Sequence, residues 1–111
     1  MKVTSLDSLP VAYISHDSTV EKKVLLKNGE VPHVAQLAVA TLKPGEQASK
    51  HNHKDMTETF HFQAGSGEME VNEKTFDIKA GVTVTVFPGE YHEIRNTGLE
   101  NLVIIYFGIV E

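Results

Sequence analysis

A chain of 111 residues, 41% hydrophobic and 23% charged, has the size and balance of one soluble globular domain with one core. Fifteen acidic against ten basic residues leave a formal charge of −5, which offers no electrostatic attraction to nucleic acid or to an anionic membrane. The absence of cysteine removes disulfides, thiolate catalysis and zinc–thiolate sites, and says nothing about compartment.

Met1 to Pro10 has neither a continuous apolar stretch nor the small-residue cleavage site of a signal peptide. The longest apolar run, Leu102 to Val110, is too short to cross a bilayer as a helix. A soluble, cytoplasmic protein is the expectation. Asp17 to Lys23 carries the one hint of helix, an Asp or Ser cap followed by Glu21, and predicts a turn or two. Beyond it strand patterns take over. Val24 to Lys27 ends at Asn28-Gly29, a strong turn signal. His33 to Leu42 stops at Lys43-Pro44-Gly45-Glu46, where Pro fixes φ and Gly supplies the positive φ of a type II turn.

Short strands are predicted over Phe60–Phe62, Glu68–Val71, Thr75–Ile78 and Val82–Phe87, with Asn72-Glu73-Lys74 as a hairpin tip. The last of them alternates Val82, Val84, Val86 against Thr83, Thr85, Phe87. Leu102 to Val110 is apolar on both faces, which suits a central strand or one whose second face a partner covers. This rhythm of short strands and turns predicts an all-β sandwich or barrel over residues 1–111.

The chemistry concentrates in two runs. The first reads Gly45, His51-Asn52-His53, Glu58, Gly65; the second reads Gly81, Gly89, His92, Asn96. His51 and His53 alone are weak evidence, because a chain with six histidines often holds a His-x-His by chance. On a helix their side chains would diverge by about 200°. On a strand they would share a face about 6.5–7 Å apart, a workable chelating distance. Glu58 adds a hard oxygen donor, and Phe60 and Phe62 share its parity and would line the interior beside it. Pro88-Gly89-Glu90-Tyr91 lets the chain turn back into a strand with His92 inward. Three imidazoles and a carboxylate suit one divalent transition metal, Fe, Mn, Ni, Cu or Zn. If that metal is octahedral, two positions stay open for water, substrate or dioxygen.

The first run resembles the first cupin motif at every fixed position: Gly45, His51, His53, Glu58 and Gly65. The second is similar to the second cupin motif through Gly81, Gly89, His92 and Asn96, but its register places proline at 87, where this chain has Phe87 followed by Pro88. Motif one therefore covers 45–65 and motif two 81–96. The resemblance implies a double-stranded β-helix (jelly-roll) barrel, a metal held by His51, His53, Glu58 and His92, and frequent dimerisation. It implies no single activity, since the fold carries many chemistries.

Other polar residues attract blander readings. His16 and His61 read as surface or packing histidines, and His33 as the residue that opens a core strand. Tyr91, Arg95 and Tyr106 could orient a substrate or serve as acid or base, but Tyr91 and Arg95 have the parity opposite His92 and Tyr106 fits core packing; Gln36 and Gln63 are candidate pocket polar groups that read more readily as groups outside it. The catalytic residues stay unassigned. Gly65-Ser66-Gly67 lacks the lysine and helix of a phosphate loop, and no nucleophile motif is present. The preferred function is a mononuclear metal-dependent oxidoreductase of dioxygenase type acting on a small organic molecule, in a homodimer. The alternatives are a non-catalytic barrel that binds a sugar or carboxylate, and a metal-assisted isomerase or epimerase.

Overall fold

The computed structural model describes all residues, Met1–Glu111. Ten strands follow one 3-10 turn at Leu6–Ser8. They are β1 (Ala12–Ile14), β2 (Asp17–Leu26), β3 (Val34–Leu42), β4 (Gln47–His51), β5 (Met56–Ala64), β6 (Ser66–Val71), β7 (Lys74–Lys79), β8 (Thr83–Val86), β9 (His92–Arg95) and β10 (Leu102–Val110). A six-stranded sheet runs β1-β2-β3-β10-β5-β8 and faces a four-stranded sheet ordered β4-β9-β6-β7. Every pairing is antiparallel. The result is the expected two-sheet jelly roll.

The predicted helix at Asp17 to Lys23 is a strand instead, the first seven of the ten residues of β2. Two facts override its cap-like start. Val20, Lys22 and Val24 recur with period two, and both edges of β2 are taken, by β1 and β3. The Asp17 carboxylate caps no helix; it accepts hydrogen bonds from Ser49 N (2.8 Å) and Ser49 Oγ (2.7 Å) on the opposing sheet.

Strand β10 lies between β3 and β5, the central position its double-sided apolarity asks for. Leu102 and Ile104 are buried against the second sheet, while Val103, Ile105 and Phe107 on its outer face are half-buried and Ile109 is exposed. The fifteen residues between Gly65 and Gly81 fold into the β6–β7 hairpin, whose tip residues Asn72 and Glu73 take φ of 46° and 70°. Gly65 has φ 86°, and a Cβ there would strike the backbone of Asn101, so only glycine fits.

The core between the sheets is built from Phe62, Met69, Ile78, Leu102, Leu42, Val20, Ile94 and Ile104, each at most 2% exposed. Burying each large side chain among them contributes about 1.5–3 kcal/mol. Asn96, 3% exposed, holds that core's edge: its Nδ2 donates to Leu42 O and Glu100 O, both at 2.8 Å, and its Oδ1 accepts from Gly98 N at 2.9 Å.

Candidate metal centre

The four candidate ligands arrive from three strands and one loop. His51 is the last residue of β4, just past a register shift against β9. His53 lies beyond the strand, so the two imidazoles do not share a strand face as the His-x-His spacing predicts. They meet edge to face, with ring centroids 5.0 Å apart. Glu58 sits in β5 opposite Gly108, and His92 opens β9 opposite His51.

The turn before His92 explains why the misplaced proline does no harm. Phe87-Pro88-Gly89-Glu90 has Gly89 at φ 85°, Glu90 N donating to Phe87 O (3.1 Å) and Phe87 N donating to Glu90 Oε1 (2.7 Å). Lys43-Pro44-Gly45-Glu46 repeats the design, with Gly45 at φ 86° and Lys43 N donating to Glu46 Oε1 at 2.7 Å. The first turn also positions a ligand, because Gly89 N donates to His53 O at 2.7 Å.

One donor atom from each of His51, His53, Glu58 and His92 lies within 4.8 Å of the others. Glu58 Oε1 stands 3.3 Å from His53 Nε2 and 3.2 Å from His92 Nε2. Backbone carbonyls decide the tautomers of two rings. His51 Nδ1 donates to Ser49 O (2.7 Å) and His92 Nδ1 donates to Glu90 O (3.3 Å), which leaves each Nε2 with its lone pair facing inward. Burial, the largest influence, pushes the His51 imidazole below its ordinary pKa and His92 adds to it, although the Ser49 carbonyl pulls the other way. His51 is therefore a neutral ligand-type imidazole at pH 7.

The consequence is an electrostatic conflict. Glu58 Oε1 and His92 Nε2 are buried, lack any hydrogen-bond partner, and meet at 3.2 Å as two acceptors. Leaving such buried groups unsatisfied costs about 1–3 kcal/mol each. A cation between them converts the cost into ligation. Donors around one metal at about 2.1 Å stand roughly 3–4 Å from each other, so the cluster fits a divalent ion with little adjustment.

A cavity of about 280 Å³ opens beside His51, His53 and Glu58. Phe60 lines it, whereas Phe62 is displaced into the core, fully buried and away from the cavity. His16, Gln36, Lys22 and Tyr106 reach this cavity, Tyr106 while packing against the core as expected. His16 is exposed but stands at the cavity rim, its ring 4.7 Å from that of His51. Gln36 and Tyr106 line the cavity wall, and so does Lys22, which the sequence reading passed over. Lys22 alternates with Val20 and Val24; reading that segment as helix hid its inward parity. Burial, aided by the Glu58 charge, pushes the Tyr106 phenol up to about 12, so it enters the cavity as a neutral hydroxyl.

The remaining polar residues keep their bland roles. His61 points outward and bonds Thr83 Oγ1 through Nδ1 at 2.7 Å. His33, at φ 70°, precedes β3 and ties to Val110 O at 3.1 Å. Gln63 and Tyr91 are exposed, and Arg95 pairs with Glu93 and Glu70 outside the cavity.

The jelly roll and an inward His/His/Glu/His cluster define a barrel with a metal-type site at one end. Residues 38–108 match the cupin domain family, and the chain belongs to it. An oxalate-binding protein of Thermotoga maritima is 36% identical over 90 residues, covering 78% of this chain and 74% of that protein. The crystal structure of a predicted oxalate decarboxylase from Thermotoga maritima superposes with a TM-score of 0.92 at 27% identity, covering 99% of this chain and 100% of the other. The cupin domain of Schizosaccharomyces pombe Cnp3 superposes at 0.82 with 24% identity, over 96% and 72% of the two chains, a likeness of fold alone.

Proposed function

We propose that this cupin holds one divalent transition metal (Fe, Mn, Ni, Cu or Zn) on His51, His53, Glu58 and His92, and binds a small carboxylic acid there. The observation that carries the reading is the pair of buried, partnerless acceptors Glu58 Oε1 and His92 Nε2 facing each other at 3.2 Å. A bound metal would supply Lewis acidity toward a carboxylate oxygen. The chain's own residues set the rest: Phe60 and Ile104 exclude water from one wall, and Tyr106 offers a neutral hydroxyl. A cavity of about 280 Å³ lies just under the size range of ordinary ligand pockets, about 300–1,000 Å³, which favours a ligand of a few heavy atoms. The oxalate-binding relative supports a carboxylate as the ligand class. Isothermal titration of the metal-loaded protein with oxalate tests it; heat that appears only with metal supports the reading, and no binding of oxalate or any short carboxylate refutes it.

Turnover of dioxygenase type is the second reading. Its support is the four-donor set, which on an octahedral metal would leave two positions for substrate and dioxygen. Oxygen uptake with Fe(II) and an enediol or diketone would favour it, whereas inertness across metals leaves the binding role alone. The isomerase or epimerase reading needs an acid or base near neutrality, and a phenol held at about 12 serves that role poorly. We also place the expected homodimer on the outer face of β10, through Val103, Ile105 and Phe107. Light scattering of Phe107→Glu against the parent should then show a dimer become a monomer; a monomeric parent removes the proposal.

A further inference from the structure

Lys22 and Lys23 are neighbours in β2 with opposite fates. Lys23 faces outward and donates to Leu6 O at 3.0 Å, covering the outside of the barrel. Lys22 pairs with Ala40 on β3 and so points inward, into the cavity that Ile14, Ala40 and Ile104 also line. Placing a lysine among aliphatic side chains is costly unless its ammonium has a counter-charge. None is present. Nζ donates to Gln36 Oε1 at 3.1 Å, a neutral amide, and Lys22 takes part in no ion pair. The two acids that line the cavity are engaged elsewhere. Asp17 is bound by Ser49, and Glu58 faces the histidines.

The cavity thus has a cation-type site at one wall and a lone ammonium at another. Both line the same cavity, and Gly108, Ala35 and Ala40 are small residues of its lining. Gly108 lets Met56 pack directly against its backbone, since a Cβ there would strike the Met56 thioether. From this arrangement we infer that Lys22, steadied by Gln36, receives the second carboxylate of a dicarboxylate ligand whose first carboxylate faces the metal centre. The inference rests on the carboxylate reading above and adds a rule of selection: two acidic groups are preferred to one. Lys22 supplies a charge-assisted hydrogen bond, and Gln36 fixes the ammonium so that less side-chain freedom is lost on binding.

The test is titration of the metal-loaded protein with oxalate, malonate, succinate and acetate, using the parent, Lys22→Met, Lys22→Arg and Gln36→Ala. Loss of one charge-assisted hydrogen bond predicts that Lys22→Met weakens the best dicarboxylate about tenfold to a hundredfold. Acetate affinity should stay within about twofold, because it never reaches Lys22, and Lys22→Arg should recover much of the loss. Melting temperature and metal content of each variant exclude a folding defect; should Lys22→Met fold poorly, Gln36→Ala carries the same prediction with a smaller loss. An unchanged dicarboxylate affinity in Lys22→Met, or an equal loss for acetate, overturns the role of Lys22 while leaving the carboxylate reading intact. A parent that binds none of the four acids removes both.

Discussion

The two ends of the barrel obey opposite rules. At the closed end, Phe62, Met69, Ile78 and Leu102 are at most 1% exposed and leave no polar atom unmatched. At the open end, Glu58 and His92 are 8% and 2% exposed and carry the two side-chain atoms in the protein that are buried without a partner. The closed end supplies stability through apolar contact and has nothing left to bind. The open end forgoes stability by holding acceptors against each other, and that deficit is what a cation can relieve. Strand β5 joins the two, with Glu58 at one end and Phe62 four residues on.

Breaking the closed end should cost most. Phe62→Ala removes a fully buried ring and is expected to destabilise by about 3–5 kcal/mol in urea denaturation, equally with and without metal. The open end should instead respond to metal: at a thousandfold excess over Kd, a divalent ion should add about 4 kcal/mol, read as a rise in melting temperature. A protein with His51, His53 and His92 all replaced by alanine should show none of that rise. Asn96 belongs to neither rule, since its three hydrogen bonds link Leu42, Glu100 and Gly98; Asn96→Ala should cost about 1–3 kcal/mol regardless of metal.

Glu58→Gln sharpens the contrast because its sign reverses. An amide can donate to His92 Nε2, so the metal-free variant should be more stable than the parent by about 1 kcal/mol while losing metal affinity. The smallest effect is spectroscopic. In a Tyr13→Phe, Tyr91→Phe background, Tyr106 is the one phenol left to titrate, at about 12 against a reference of 10.0. Because the folded value is raised, the folded state holds the proton longer, and stability should fall as pH rises from 10 to about 12. Bound metal cancels part of the Glu58 charge, so it should lower this value without restoring it fully, since burial is the larger cause.

Much of this was legible in the sequence. β10 runs over Leu102–Val110 as its double-sided apolar pattern predicts, and the β6–β7 hairpin turns at the polar tip expected of it. The four candidate ligands converge because turns with glycine at positive φ deliver them, and those turns are written in local residues. What stayed hidden depended on the far side of the barrel. Asp17 to Lys23 offers local helix signals, and only pairing with β1 and β3 makes it a strand. That error concealed Lys22. His16 likewise reaches the rim only because the turn between β1 and β2 comes against His51 at the end of β4, a contact no local pattern records.

The most direct test of the central claim is the metal content of untagged protein, measured by elemental analysis beside the His51/His53/His92 alanine variant. The expected result is close to one equivalent of Fe, Mn, Ni, Cu or Zn in the parent and none in the variant. A parent that stays metal-free after anaerobic reconstitution, or a variant that retains the metal, would contradict it.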